Sequence, residues 1–157
     1  MEIERKWKMR RAPALPVLTH TRVFQSYLSV TPEVRIRKYE DLKSAAPPQY
    51  DLTVKSEGTL AREEIIKPLT AEEYRVLLEM TGGAAPIVKD HRTYDWQGHT
   101  LEYSEVDPGE ETGFSYAEVE FDTLEAAAAF SAPAWFGPES TEDAAFRMKY
   151  YWQSTRG

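Results

Sequence analysis

Three pairs of like charges, Glu2/Glu4, Arg35/Arg37 and Glu118/Glu120, each sit two residues apart in stretches that otherwise read as β-strand. Side chains at i and i+2 of a strand share a face, so each stretch aims two like charges in one direction. Such a pair repels itself, whereas a solvated sheet face normally mixes signs. Two adjacent carboxylates are relieved by a divalent cation, and two guanidiniums by a phosphate chain, whose oxygens match the arginine fork. The pattern asks for a metal ion and a polyanion in one place.

Period-two alternation surrounds these pairs. Val34 and Ile36 oppose the two arginines over 33–38, Leu52 and Val54 oppose Thr53 and Lys55 over 50–55, and Ala117, Val119 and Phe121 oppose the glutamates over 116–121. In 2–7, Ile3 and Trp7 oppose Glu2, Glu4 and Lys6. This is the signature of antiparallel strands with two unlike faces. Further strands are predicted at 22–30, 62–67, 86–95 and 99–106. The capping-box pattern from Thr70 to Glu73 predicts a helix that ends at Gly82-Gly83; others are expected over Thr123 to Phe130 and near Ser140 to Tyr151.

Eight strands with few helices predict an α+β, mainly β fold, an antiparallel β-barrel in one domain spanning 1–157. Two face assignments are open. An ordinary small barrel puts its apolar face inside and its charges in water; the alternative has a charged lumen and an apolar outer wall covered by the helices. The like-charge pairs favour the second.

Composition narrows the chemistry. The chain has 157 residues and no cysteine, so disulfides, thiolate metal sites and cysteine nucleophiles are excluded, and any metal takes oxygen or histidine ligands. With 26 acidic against 19 basic residues and a net charge of −7, no nucleic-acid partner is expected. The absence of a membrane-length apolar run or a signal-like start leads us to expect no membrane partner and a cytoplasmic location. There is no GxxxxGK[ST] loop, and His20, His91 and His99 lack zinc-helix spacing. Oligomeric state is not readable.

The opening Glu2-Ile3-Glu4-Arg5-Lys6 fits an ExExK signature, followed in order by blocks at Gln25–Leu28, Val34–Arg37, Leu52–Gly58, Arg62–Glu64, Ala117–Glu120 and Trp135–Gly137 with Thr141. In this order the chain resembles the CYTH superfamily, the triphosphate tunnel metalloenzymes, over nearly its whole length, with short bacterial tripolyphosphatase-like members nearest. The resemblance implies an eight-stranded tunnel with a charged lumen, a triphosphate substrate and Mg²⁺ or Mn²⁺ as cofactor. It implies Glu2, Glu4, Glu118 and Glu120 at metal-binding positions, and Lys6, Arg35, Arg37, Lys55 and Arg62 at phosphate-binding ones. Lys89 and Arg92 stand where the family has Lys-x-Arg, although strand alternation puts these two on opposite faces. Glu105 and Met148 stand where the family commonly has aspartate and asparagine. Glu64, Lys55 and Tyr27 are candidate catalytic residues, Glu64 as a base or as an orienter of Arg62 or Lys55. The expected activity is hydrolysis of a linear triphosphate, inorganic tripolyphosphate first. The alternatives are ATP cyclisation, nucleoside or thiamine triphosphate hydrolysis, or polyphosphate binding without turnover.

Overall fold

The computed structural model describes all 157 residues. It contains β1 (Glu2–Met9), β2 (Thr19–Ser29), β3 (Glu33–Asp41), β4 (Gln49–Lys55), β5 (Ala61–Arg62), β6 (Glu64–Leu69), β7 (Ile87–Trp96), β8 (His99–Val106) and β9 (Phe114–Phe121), with helices α1 (Ala71–Glu79), α2 (Leu124–Ala129) and α3 (Met148–Arg156). The strands form one antiparallel sheet in the order β5-β1-β9-β8-β7-β2-β3-β4-β6.

The strand count is nine rather than the expected eight because the predicted strand at 62–67 is broken at Glu63. Ser56 causes the break: its Oγ accepts from Glu63 N at 2.9 Å while its own N–H donates to Glu63 O at 3.0 Å. β5 pairs with β1 through Glu2↔Arg62, and β6 pairs with β4 through Lys55↔Glu64. The two halves of one strand thus hold opposite edges of the sheet, which brings the barrel close to closure and leaves little free edge.

α1 forms where its capping box predicts, with Thr70 Oγ1 accepting from Glu73 N and Glu73 Oε1 accepting from Thr70 N. Thr123 caps α2 without the reciprocal half, its Oγ1 accepting from Ala126 N at 3.0 Å. The third helix departs from expectation: α3 begins at Met148, after a short 3-10 turn at Ala144–Phe146, and runs to Arg156. Residues 138–141 serve β1 instead. Ser140 N donates to Lys6 O at 2.8 Å, and Lys6 N donates to Thr141 Oγ1 at 3.0 Å, pairing an edge that the two-residue β5 leaves open. The approach is close enough that a Cβ on Gly137 would lie 2.1 Å from Lys8 O, so only glycine fits there.

The apolar face of the alternation points outward. Ile3, Trp7, Tyr94, Leu101, Val119 and Phe121 form a core between the barrel wall and Ala127 and Phe130 at α2. A second cluster closes one end of the barrel from within, where Met148 and Trp152 of α3 pack against Tyr27, Ile87, Val106 and Tyr116. Each fully buried aliphatic or aromatic side chain contributes about 1.5–3 kcal/mol, which offsets the cost of enclosing charge on the other face. α3 is anchored by Arg156, whose guanidinium grips Asp107 at 2.8 and 3.1 Å while Tyr151 OH donates to the same carboxylate at 2.6 Å.

Candidate functional site

Because every barrel strand alternates, the inward residues of β1, β3, β4, β6, β7 and β9 meet in a cavity of about 170 Å³. Fifteen of its nineteen lining residues are charged, eight cations and seven glutamates. The face choice left open by the sequence is thereby decided in favour of the charged lumen.

Lys6, Arg35, Arg37, Lys55, Arg62 and Lys89 all line the cavity, as do Tyr27, Glu64, Glu2, Glu4, Glu118 and Glu120. Arg92 is not brought there. β7 alternates without a bulge, so Lys89 points inward and Arg92 outward, where its Nε donates to Asp90 at 3.1 Å beside His20. Glu105 is likewise outside, accepting from Tyr103 OH at 3.2 Å, whereas Met148 reaches the lumen at the end closed by α3.

Besides Ile66, five lining residues escaped the sequence reading. Glu33 shares the face of Arg35 by the same i, i+2 rule. Glu102 and Tyr116 also sit at inward positions, Glu102 directly opposite Glu118 across the ladder. Arg147 and Lys149 come from the start of α3, and no strand period announces them. Lys149 is buried, with its ammonium donating to Glu57 at 3.1 Å and Val30 O at 3.4 Å.

The ionic groups are unevenly partnered. Lys55 lies 2.9 Å from Glu2 and 3.2 Å from Glu64, and Arg62 lies 3.1 Å from Glu33. By contrast, Arg35 is buried, and neither its Nε nor that of Arg37 has a hydrogen-bond partner. Carboxylate oxygens of Glu2, Glu4 and Glu120 all lie within 4.8 Å of one another, and Glu4 faces Glu120 directly across the β1–β9 ladder. Glu118, one rung deeper, lies outside this trio but hydrogen-bonds with Glu4 and has Lys6 at 3.8 Å.

These contacts split the carboxyls. Burial, and then the neighbouring charge of Glu118, holds Glu4 well above the usual carboxylate range. Glu118 goes the other way: although burial opposes its ionisation, Lys6, a hydrogen bond with Glu4 and Lys89 hold it far below that range. Glu120 is pushed up to about 7 by burial and by Glu102, Glu2 and Glu118. Lys89 is depressed by burial and by Arg35, Arg37 and Lys6.

Protein groups leave both excesses only partly answered: no cation is shared by the acidic trio, although Glu2 pairs with Lys55, and the two arginines find no hydrogen-bond acceptor, Arg37 Nε having only Asp51 Oδ1 at 3.6 Å. Three carboxylates from two adjacent strands form an all-oxygen donor set that fits a hard divalent ion such as Mg²⁺ or Mn²⁺. The arginine and lysine wall, lined along several strands, matches the repeated oxygens of a short phosphate chain. No helix is long and apolar enough to cross a membrane.

No family model matches the chain. It is 31% identical to the inorganic triphosphatase of Nitrosomonas europaea, with 94% of each chain covered. Its fold superposes on the crystal structure of an inorganic triphosphatase with a TM-score of 0.65 at 26% identity, covering 100% of this chain and 97% of the other. A putative adenylate cyclase from Bacillus halodurans shares the fold at 12% identity, with a TM-score of 0.56 and 82% and 84% of the two chains covered. Through its sequence identity to the Nitrosomonas enzyme over nearly its full length, the chain belongs to the family of that inorganic triphosphatase.

Proposed function

We propose that the protein is a CYTH-type, divalent-cation-dependent hydrolase of linear triphosphates, with inorganic tripolyphosphate as its first substrate. The observation that carries this reading is the opposition, inside one cavity, of a carboxylate trio to a wall of incompletely partnered cations. The name of the Nitrosomonas relative supports it.

In this reading Glu2, Glu4 and Glu120 hold Mg²⁺ or Mn²⁺, with Glu118 behind them. When bound, the cation supplies neutralisation of phosphate charge and acidifies water. Arg35, Arg37, Lys6, Lys89 and Arg62 hold the non-bridging oxygens and stabilise the charge that develops on the leaving phosphate. Lys55 is kept in place between Glu2 and Glu64 and directed at the chain's oxygens. Glu64 stays ionised, since Lys55 and a hydrogen bond with Glu2 outweigh the effect of its burial, and in this reading it orients Lys55 or accepts a proton from water. Tyr27 remains a phenol, pushed up to about 12 by burial, and contributes a hydrogen bond rather than a base. No covalent nucleophile is required.

The cavity's size and lining favour a bare phosphate chain. At about 170 Å³, with only Tyr27, Ile66, Tyr116 and Met148 uncharged, it offers no enclosed platform for a nucleobase or a thiamine ring. The test is an assay of purified protein with Mg²⁺ or Mn²⁺ and tripolyphosphate, ATP, GTP, thiamine triphosphate or pyrophosphate, measuring phosphate, pyrophosphate and cyclic nucleotide. Cation-dependent phosphate release, fastest from tripolyphosphate, is the expected outcome. Cyclic AMP formation would replace hydrolysis with cyclisation, and tight tripolyphosphate binding without turnover would leave a binding module.

A further inference from the structure

Two lumen lysines reach the cavity from strands that are not neighbours, Lys6 from β1 and Lys89 from β7. Long lysine side chains are free to swing, and two like charges in one enclosure drive each other apart. Tyr116, on β9, touches both. Its hydroxyl accepts from Lys89 Nζ at 2.7 Å, and its ring lies beneath Lys6 Nζ at 4.8 Å from the centroid. It is the one side-chain hydrogen-bond partner of Lys89, which no carboxylate approaches within ion-pairing distance and which is buried. The ring itself cannot drift: it is 2% exposed, flanked by Phe114 at 6.1 Å and Phe146 at 6.5 Å between centroids. One rigid aromatic therefore holds one ammonium through its oxygen and another through its π-face.

We propose that Tyr116 is a positioning residue that aims the ammonium groups of Lys6 and Lys89 at a common stretch of the phosphate chain. The proposal rests on the triphosphate reading above. Its physical content is pre-organisation: the lysines are ordered before the anion arrives, so binding does not bear the entropy of fixing them. The ring faces both ammoniums, Lys6 at 4.8 Å and Lys89 at 5.4 Å from its centroid, but the hydroxyl bonds Lys89 alone, so the hydrogen bond is separable by substitution.

The experiment compares wild type, Tyr116→Phe, Tyr116→Leu, Lys89→Met and the Tyr116→Phe/Lys89→Met double variant. It measures kcat and KM for tripolyphosphate with Mg²⁺, and thermal melting to confirm folding. Tyr116→Phe keeps the ring and frees Lys89, so KM should rise about tenfold with kcat within about twofold, the scale of one hydrogen bond to a charged group. Tyr116→Leu frees both lysines and should raise KM about a hundredfold. In the Lys89→Met background, Tyr116→Phe should add less than about a twofold further loss, because the hydroxyl then has no ammonium to hold. A wild-type KM in Tyr116→Phe, or a full additional loss in the double variant, would overturn the positioning role while leaving the hydrolase reading intact. Should Tyr116→Leu fail to fold, the cycle between the hydroxyl and Lys89 decides alone. Absence of tripolyphosphate turnover in wild type would instead remove the functional reading, and this role with it.

Discussion

Two ionic regions of this barrel, each partly enclosed, look alike in composition and differ in completeness. At the Asp107 clamp, both carboxylate oxygens are occupied: Oδ1 accepts from Val88 N and Arg156 Nη2, and Oδ2 from Tyr151 OH and Arg156 Nη1. In the lumen, three carboxylates crowd one another, Arg35 Nε has no hydrogen-bond partner, and Arg37 Nε has only the long contact with Asp51 at 3.6 Å. Burying charge is tolerable when each group is hydrogen-bonded and costly when it is not. The clamp therefore reads as structure, fastening α3 across one end of the barrel. The lumen reads as a binding site whose missing partners come from outside.

The largest effect that would break this contrast lies in the acidic trio. Glu4→Gln or Glu120→Gln should lower cation-dependent kcat by about 10³-fold, the several kcal/mol expected from losing metal-held charge stabilisation. Melting temperature should hold or rise, since each change removes a repulsion. Steady-state kinetics and calorimetry on one preparation check both halves. Arg37→Ala comes next, with kcat/KM for tripolyphosphate falling about a hundredfold; unchanged kinetics there would count heavily against a phosphate-lined tunnel.

The clamp should respond in stability. Asp107→Ala leaves the Arg156 guanidinium, whose side chain is 14% exposed, without its carboxylate and should cost about 3–5 kcal/mol of unfolding free energy in denaturant titrations. A loss below about 1 kcal/mol would place the clamp among ordinary surface pairs.

Acid separates one carboxylate of each region, because Asp107 and Glu120 are shifted in opposite directions. Asp107 has a lowered folded pKa: despite burial, hydrogen bonds from Arg156 and Tyr151 favour its charged form. Its stabilisation is present above the unfolded aspartate value and is lost as pH falls through the folded one. Glu120 has a folded pKa of about 7 against an ordinary 4.5, so the folded state holds the extra proton, and its contribution to stability declines as pH rises through that window. Glu120→Gln should flatten this decline in pH-dependent melting curves, and in wild type Mn²⁺ affinity should increase as pH passes about 7, when the carboxylate is freed for the ion. The smallest effect belongs to Glu57, whose 67% exposed side chain meets Lys149 and Arg147. Glu57→Gln should change stability by less than about 1 kcal/mol.

Much of the lumen was legible because strand geometry is rigid. Period two fixes which side chains share a face, so Glu2, Glu4, Arg35, Arg37, Lys55, Glu118 and Glu120 could be placed together once strands were recognised. The same rule separates Lys89 from Arg92, and a motif alignment alone would not. Glu33 falls under the same rule, two residues before Arg35 on its face, but opposite charges at that spacing carry no signal of repulsion. What the pattern does not carry is how distant segments substitute for one another. Ser56 breaks a strand through a contact with Glu63, and the pairing of 138–141 with β1 takes away residues that would otherwise start a helix. That second event moves the start of α3 to Met148 and so delivers Arg147 and Lys149 to the cavity, a placement set by tertiary contacts and not by local periodicity.

The central claim is that cation and phosphate chain each cancel a repulsion the protein leaves open, so each should favour the other's binding. Melting temperature measured with Mg²⁺ alone, with a non-hydrolysable imido analogue of tripolyphosphate alone, and with both tests this directly. The account predicts a shift with both ligands that exceeds the sum of the separate shifts, and that Glu4→Gln removes the excess. Additive shifts, or none, would contradict it.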